Sequence, residues 1–195
     1  MPLEQVEFNM IITFLGMLCA TVQAVTGGYA AYIKKRVSLL KTNGTLFEAH
    51  YAFGSFATVL YILGLFAGVN GLVGAITRNN PPLELHSISF NIHTWGSFPV
   101  LVVVVWKTYL SYFKKGPLYG RRKWLGGAMF VVWGFTWLSA AISYYVRTLP
   151  SNPQHPAPVF LLPYEWLGLQ LALPFLLGGL LGGIVLRRAE NAKMV

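Results

Sequence analysis

The chain has 195 residues, 55% hydrophobic and only 11% charged, against roughly a quarter charged in ordinary soluble domains. A single cysteine, Cys19, excludes an intrachain disulfide and any cysteine-built metal cluster. The net charge of +9 comes from 15 Lys and Arg against six Glu, and the placement of those cations, described below, excludes a nucleic-acid footprint.

The first predicted helix covers residues 7–33. It is too long and too evenly apolar for a cleaved signal peptide, and it lacks a basic leader. Gly16, Ala20, Ala24 and Gly28 recur every four positions, a spacing that lets a neighbouring helix approach closely. Lys34, Lys35, Arg36 and Lys41 end it. Asn43-Gly44 is a turn signal, and Thr45 with Glu48 fits a capping box. A second helix over 46–74 follows, with His50 in its opening turns.

The third helix is expected over 84–113, after Pro81-Pro82. Its first half carries His86, Asn91, His93, Thr94 and Ser97, and its second half is almost wholly apolar. Pro99 should kink it by freeing the carbonyl of Trp95. A basic run containing Lys114, Lys115, Arg121, Arg122 and Lys123 precedes the fourth helix, 124–147. A proline-rich connection carrying His155 then leads to the fifth, 164–186, with Gln170, Pro174, Gly178-Gly179 and Gly182-Gly183.

Each segment has the roughly 20 apolar residues a bilayer requires. The expected architecture is therefore all-α: one domain over 1–195, an integral membrane bundle of five spans. With the N-terminus outside and the C-terminus cytoplasmic, 13 of the 15 cations fall on or snorkel towards the cytoplasmic side, and only Arg78 and Arg147 fall outside. The positive-inside rule selects this orientation, and the charge reads as a topology signal and anionic-lipid contact. A multi-pass protein of a plasma (inner) or thylakoid-type membrane is expected, with the lipid bilayer and other membrane subunits as partners and no nucleic acid.

Histidines at membrane depth mark candidate functional sites. His50 falls near the cytoplasmic face, His86 and His93 near the outer face, and His155 in an outer loop. Haem iron takes His or Met as axial ligands, so b-type haem is one reading. One haem shared by His50 and His93 is excluded, because their depths differ by roughly 24 Å at 1.5 Å per residue. His50 with Met129, His93 with Met10 or Met17, and a single axial histidine stay open. So does copper or zinc held by His86, His93 and His155, since neutral imidazole suits both metals. Hydrogen bonding of interfacial histidines to headgroups, water or Glu84 is the non-functional alternative.

Trp95, Trp106, Trp124 and Trp166 fall near helix ends as an aromatic belt. Trp133 and Trp137 lie deeper, on one face, where they would pack or stack on a quinone. Gln170 is expected to bond a neighbouring helix. The glycine pairs of the fifth helix form a packing face, open to another subunit.

The runs FEAHYAFGSFATVLYILG, LELHSISFNIHTWGSF and YGRRKWLGGAMFVVW resemble small bacterial and plastid membrane proteins related to b-type membrane cytochromes and cytochrome-oxidase assembly factors. The resemblance covers roughly Phe47 to Arg147. It implies a metal or haem role for His50, His86 and His93. Two classes of function follow: a redox protein passing electrons or metal to a respiratory or photosynthetic complex, and a non-catalytic accessory or assembly subunit.

Overall fold

The computed structural model describes residues 5–33, 43–77, 88–113, 115–147 and 162–192. His86, His155, the basic cluster 34–41 and most of the proline-rich connection lie outside them. Five long helices account for nearly all of the described chain: α1 (Gln5–Gly28), α2 (Gly44–Thr77), α3 (Ile88–Phe113), α4 (Lys115–Arg147) and α5 (Leu167–Asn191). α1 continues into a π-helical turn, Tyr29–Ile33, and a 3-10 turn, Tyr164–Trp166, leads into α5.

Four segments are long and apolar enough to cross a membrane: Phe8–Ile33, Gly44–Asn70, Trp124–Tyr145 and Leu167–Asn191. The 26 residues of α3 give about 39 Å, enough length to span. Its His93, Thr94, Ser97 and Lys107 dilute the apolar character that the other four possess. Large apolar side chains such as Phe56, Phe66, Val102 and Leu180 point outward. So extensive an exposed apolar surface suits lipid rather than water.

α1 is the central element, packed against α2, α4 and α5, while α3 leans on α4. The backbones of α2 and α3 do not pack closely, which leaves a seam bridged by side chains. The core holds Met17, Tyr61, Met129, Trp133 and Trp137. Both tryptophans are essentially sealed, at 1% and 0% exposure. Trp137 meets Phe14 edge-on at 5.5 Å, and Trp133 meets Tyr61 edge-on at 6.0 Å. Such edge-to-face pairs fix ring orientation as well as burying area.

Several local expectations change. The cap of α2 is Asn43, not Thr45: its Oδ1 accepts from the Leu46 amide at 2.9 Å, and its amide donates to the Ala189 carbonyl at 2.9 Å. One side chain thus satisfies an orphan helix donor and ties α2 to α5. α4 starts at Lys115, so Arg121–Lys123 lies within the helix, in keeping with the good helix propensity of Arg and Lys. The glycine pairs of α5 are split. A methyl added at Gly178 or Gly182 would stand within 3 Å of Thr21 or Val25, so these two admit α1, whereas Gly179 and Gly183 face open space. Pro174 cannot donate to Gln170 and disturbs the adjoining turn. There the Leu171 carbonyl accepts from the Trp137 indole at 2.9 Å. Gln170 is buried, and its Oε1 accepts from the Leu162 amide at 3.5 Å, a bond that closes the entry to its own helix.

Candidate functional site

α1 and α2 run antiparallel in a register set by close approaches: Gly27 opposite His50, Gly54 opposite Gln23, and Gly64 opposite Ile12. A side chain at Gly27 would meet the His50 ring at 3.0 Å, and one at Gly54 would displace Gln23. These glycines admit two polar groups into the helix interface. Sequence spacing singled out neither Gly27 nor Gly54.

His50 Nδ1 lies 2.9 Å from Thr26 Oγ1. Thr26 Oγ1 also lies 2.9 Å from the Val22 carbonyl oxygen and 3.2 Å from that of Gln23. A hydroxyl has one hydrogen to give. Where it goes to a carbonyl, Thr26 accepts from His50 Nδ1, and the matching tautomer keeps the lone pair on Nε2. His93 repeats the pattern at the other end of the bundle. Its Nδ1 lies 3.0 Å from Ser139 Oγ, and Ser139 donates to the Thr136 carbonyl at 3.3 Å. The tautomer that donates from Nδ1 to Ser139 keeps the lone pair of His93 on Nε2.

Lys107 belongs to the His50 site. The sequence reading sent it to the cytoplasmic surface by snorkelling. Instead it turns inward, and its Nζ donates to Gln23 Oε1 at 3.1 Å. Gln23, Thr26, His50 and Lys107 therefore form one polar group at one level, drawn from α1, α2 and α3.

The two histidines are far apart along the bundle. Tyr61 donates from its hydroxyl to the Ser97 carbonyl at 3.2 Å, which makes α2 and α3 level at those residues. His50 is eleven residues to one side of that level on α2, and His93 four residues to the other side on α3. At 1.5 Å per residue the separation is about 22 Å. Tracing along α1 from Gly27 to the turn beside Ser139 agrees.

The same register sorts the candidate sulfurs. Trp133 lies against Gly16 and Trp137 against Phe14, so Ser139 and His93 fall opposite the turn of α1 that holds Met10. Met17 falls about two turns from that level. Met129 sits as far from the His50 level, closer to Ala57. Both are core residues of the central layer. Among the described residues no cluster of three or more His, Cys, Asp or Glu is assembled, and His86 and His155 lie outside them, so the three-histidine metal set is not placed.

The donor set suits a single axial imidazole at each level. A ligating histidine commonly gives its second ring N–H to a protein acceptor, which fixes the tautomer and orients the ring. Both histidines have a hydroxyl oxygen within hydrogen-bond distance of Nδ1. Two buried polar atoms between or beside these levels, Asn9 Oδ1 and Trp133 Nε1, have no partner among the described residues, an arrangement native proteins rarely leave unfilled. The chain matches no known family model, no curated protein and no solved structure.

Proposed function

We infer that the protein is a membrane-embedded, b-type haem protein that moves electrons between the two sides of a bilayer. His50 and His93 would each supply one axial nitrogen, to two haems at different depths. When bound, haem supplies one-electron chemistry over a range of potentials set by its ligands and surroundings. The observation that carries this reading is the pair of hydroxyl-anchored Nδ1 atoms, which presents two Nε2 lone pairs in a bundle with few other polar groups.

The remaining residues have definite parts. Thr26 and Ser139 hold the rings, and Met10 is the sulfur level with His93. Tyr61, Trp133 and Trp137 fill the space between the two sites and keep water from joining them. In this reading α3 is a fifth span, tolerated despite its polar half because those groups face the bundle. The cation distribution supports an outside N-terminus, with His50 towards the cytoplasmic face and His93 towards the outer face.

Protein purified in mild detergent, with haemin supplied, should develop a Soret band at two haems per chain. His50→Ala and His93→Ala should each remove about half of it while the chain stays monodisperse. A preparation that stays colourless with haemin present overturns the reading. One observation favours an accessory subunit: Gly179 and Gly183 face open space between outward-pointing leucines, a surface on which another helix could lie. Isolation of a colourless chain within a larger membrane complex would favour that second reading.

A further inference from the structure

Lys107 is a cation inside a helix bundle with a neutral partner. An ammonium has three hydrogens to donate, and the hydrogen bond described for it goes to the amide oxygen of Gln23. The glutamates whose side chains are described lie elsewhere. Glu48 is exposed in the first turn of α2, Glu165 is exposed at the entry to α5, and Glu190 takes the Tyr29 hydroxyl. An ion at membrane depth is costly unless a counter-charge or a polar path is supplied. Lys107 also lies at the level of His50, on the helix that faces α2 across the seam.

We propose that Lys107 is an oxyanion anchor, holding a propionate carboxylate of the haem whose iron His50 ligates. The inference rests on the haem reading above and names how that site orients its ligand. A haem bears two carboxylates on one edge of an otherwise apolar ring. His50 takes the metal, and Lys107, steadied by Gln23, takes that edge. The ligand is thereby fixed at two points, with its charged edge turned towards the nearer membrane face. A phospholipid phosphate offers the same oxyanion chemistry, and the two sources can be separated.

The test uses the full chain in nanodiscs of neutral phosphatidylcholine, in a His93→Ala background so that the His50 site alone reports, and again in the two-histidine chain. Haemin and haemin dimethyl ester, which lacks carboxylates, are titrated and followed in the Soret region. The unsubstituted Lys107 protein should bind haemin at least about tenfold tighter than the ester, the scale of one charge-assisted hydrogen bond. Lys107→Gln should abolish that preference by weakening haemin binding alone, and Lys107→Arg should largely keep it.

Equal affinity for acid and ester with Lys107 present overturns the anchor and leaves the haem reading standing. Equal weakening of both ligands by Lys107→Gln also overturns it, by making Lys107 a packing residue. If phosphatidylglycerol stabilises the chain through Lys107 while acid and ester bind alike, the oxyanion is lipid and the proposal fails. If neither ligand binds, the haem reading itself has failed.

Discussion

Thr26 and His50 meet at 2.9 Å between hydroxyl oxygen and ring nitrogen, and that contact anchors the imidazole at Nδ1. The Val22 carbonyl, one turn back on α1, lies 2.9 Å from the same hydroxyl. Side chain, backbone and imidazole form a short chain that joins α1 to α2.

Thr26→Val keeps the shape of the side chain and removes the acceptor. It should cost about 1–3 kcal/mol, the penalty for a buried donor left unpaired, whereas Thr26→Ser should cost much less. Thermal unfolding in detergent, followed by tryptophan fluorescence, measures the difference. Equal stability of the Val and Ser variants would mean that the hydroxyl does not hold the ring.

The two buried tryptophans allow a matched comparison. Trp137 gives its N–H to the Leu171 carbonyl, and Trp133 has no acceptor among the described residues. Tryptophan to phenylalanine removes the same volume at each site, so the cavity contributions largely cancel. Trp137→Phe should therefore be the more destabilising, by about 1–2 kcal/mol. The order of the two melting temperatures is the readout, and the reverse order would refute the account of Trp133.

Asn43→Ala should remove the cap of α2 and its tie to α5 together. About 1–2 kcal/mol is expected for the cap, with faster hydrogen exchange at the Leu46 and Phe47 amides. Asn43→Asp keeps the acceptor and loses the donor. It should restore protection of the Leu46 amide without restoring the contact to Ala189.

Gly54→Leu should be more damaging than either, because the space above Gly54 is occupied by the Gln23 amide. Displacing Gln23 also takes away the acceptor of Lys107. Overpacking of this kind typically costs about 1–3 kcal/mol. Gly68→Leu, at an open position on the same helix, is the control and should be close to neutral. Size-exclusion profiles after a heating series would rank the two.

Side-specific labelling tests the five-span topology. In a Cys19→Ser background, cysteines introduced at Lys41 and Arg121 should react with an impermeant maleimide from one side of sealed vesicles, and a cysteine at Arg78 from the other. Lys41 and Arg121 reacting from opposite sides would overturn the topology.

The helices were legible from apolar run length, since lipid-facing and buried positions are both apolar and no periodicity had to be resolved. The separation of His50 and His93 along the bundle was legible too, because rise per residue is constant and the register through Tyr61 and Ser97 reproduces the expected spacing. Direction around the helix axis was not. Lys107 lies six residues from the end of α3, and residue position alone could not say whether it faced headgroups or Gln23. The partnership of Thr26 with His50 joins residues 24 positions apart in sequence, set by a helix–helix register that no local pattern encodes. Asn43 was passed over as a turn residue, because a cap that also reaches α5 becomes visible only once α5 is beside it.

Tyr61 places one phenol across the seam between α2 and α3, with its hydroxyl engaged on the Ser97 carbonyl. Hydroxyl-bearing and charged side chains gather on either side of it, and aromatic carbon fills the middle. The phenol thus closes the seam with apolar carbon while its single hydroxyl hydrogen is spent on a backbone carbonyl, so α2 and α3 are joined there without an exposed polar group.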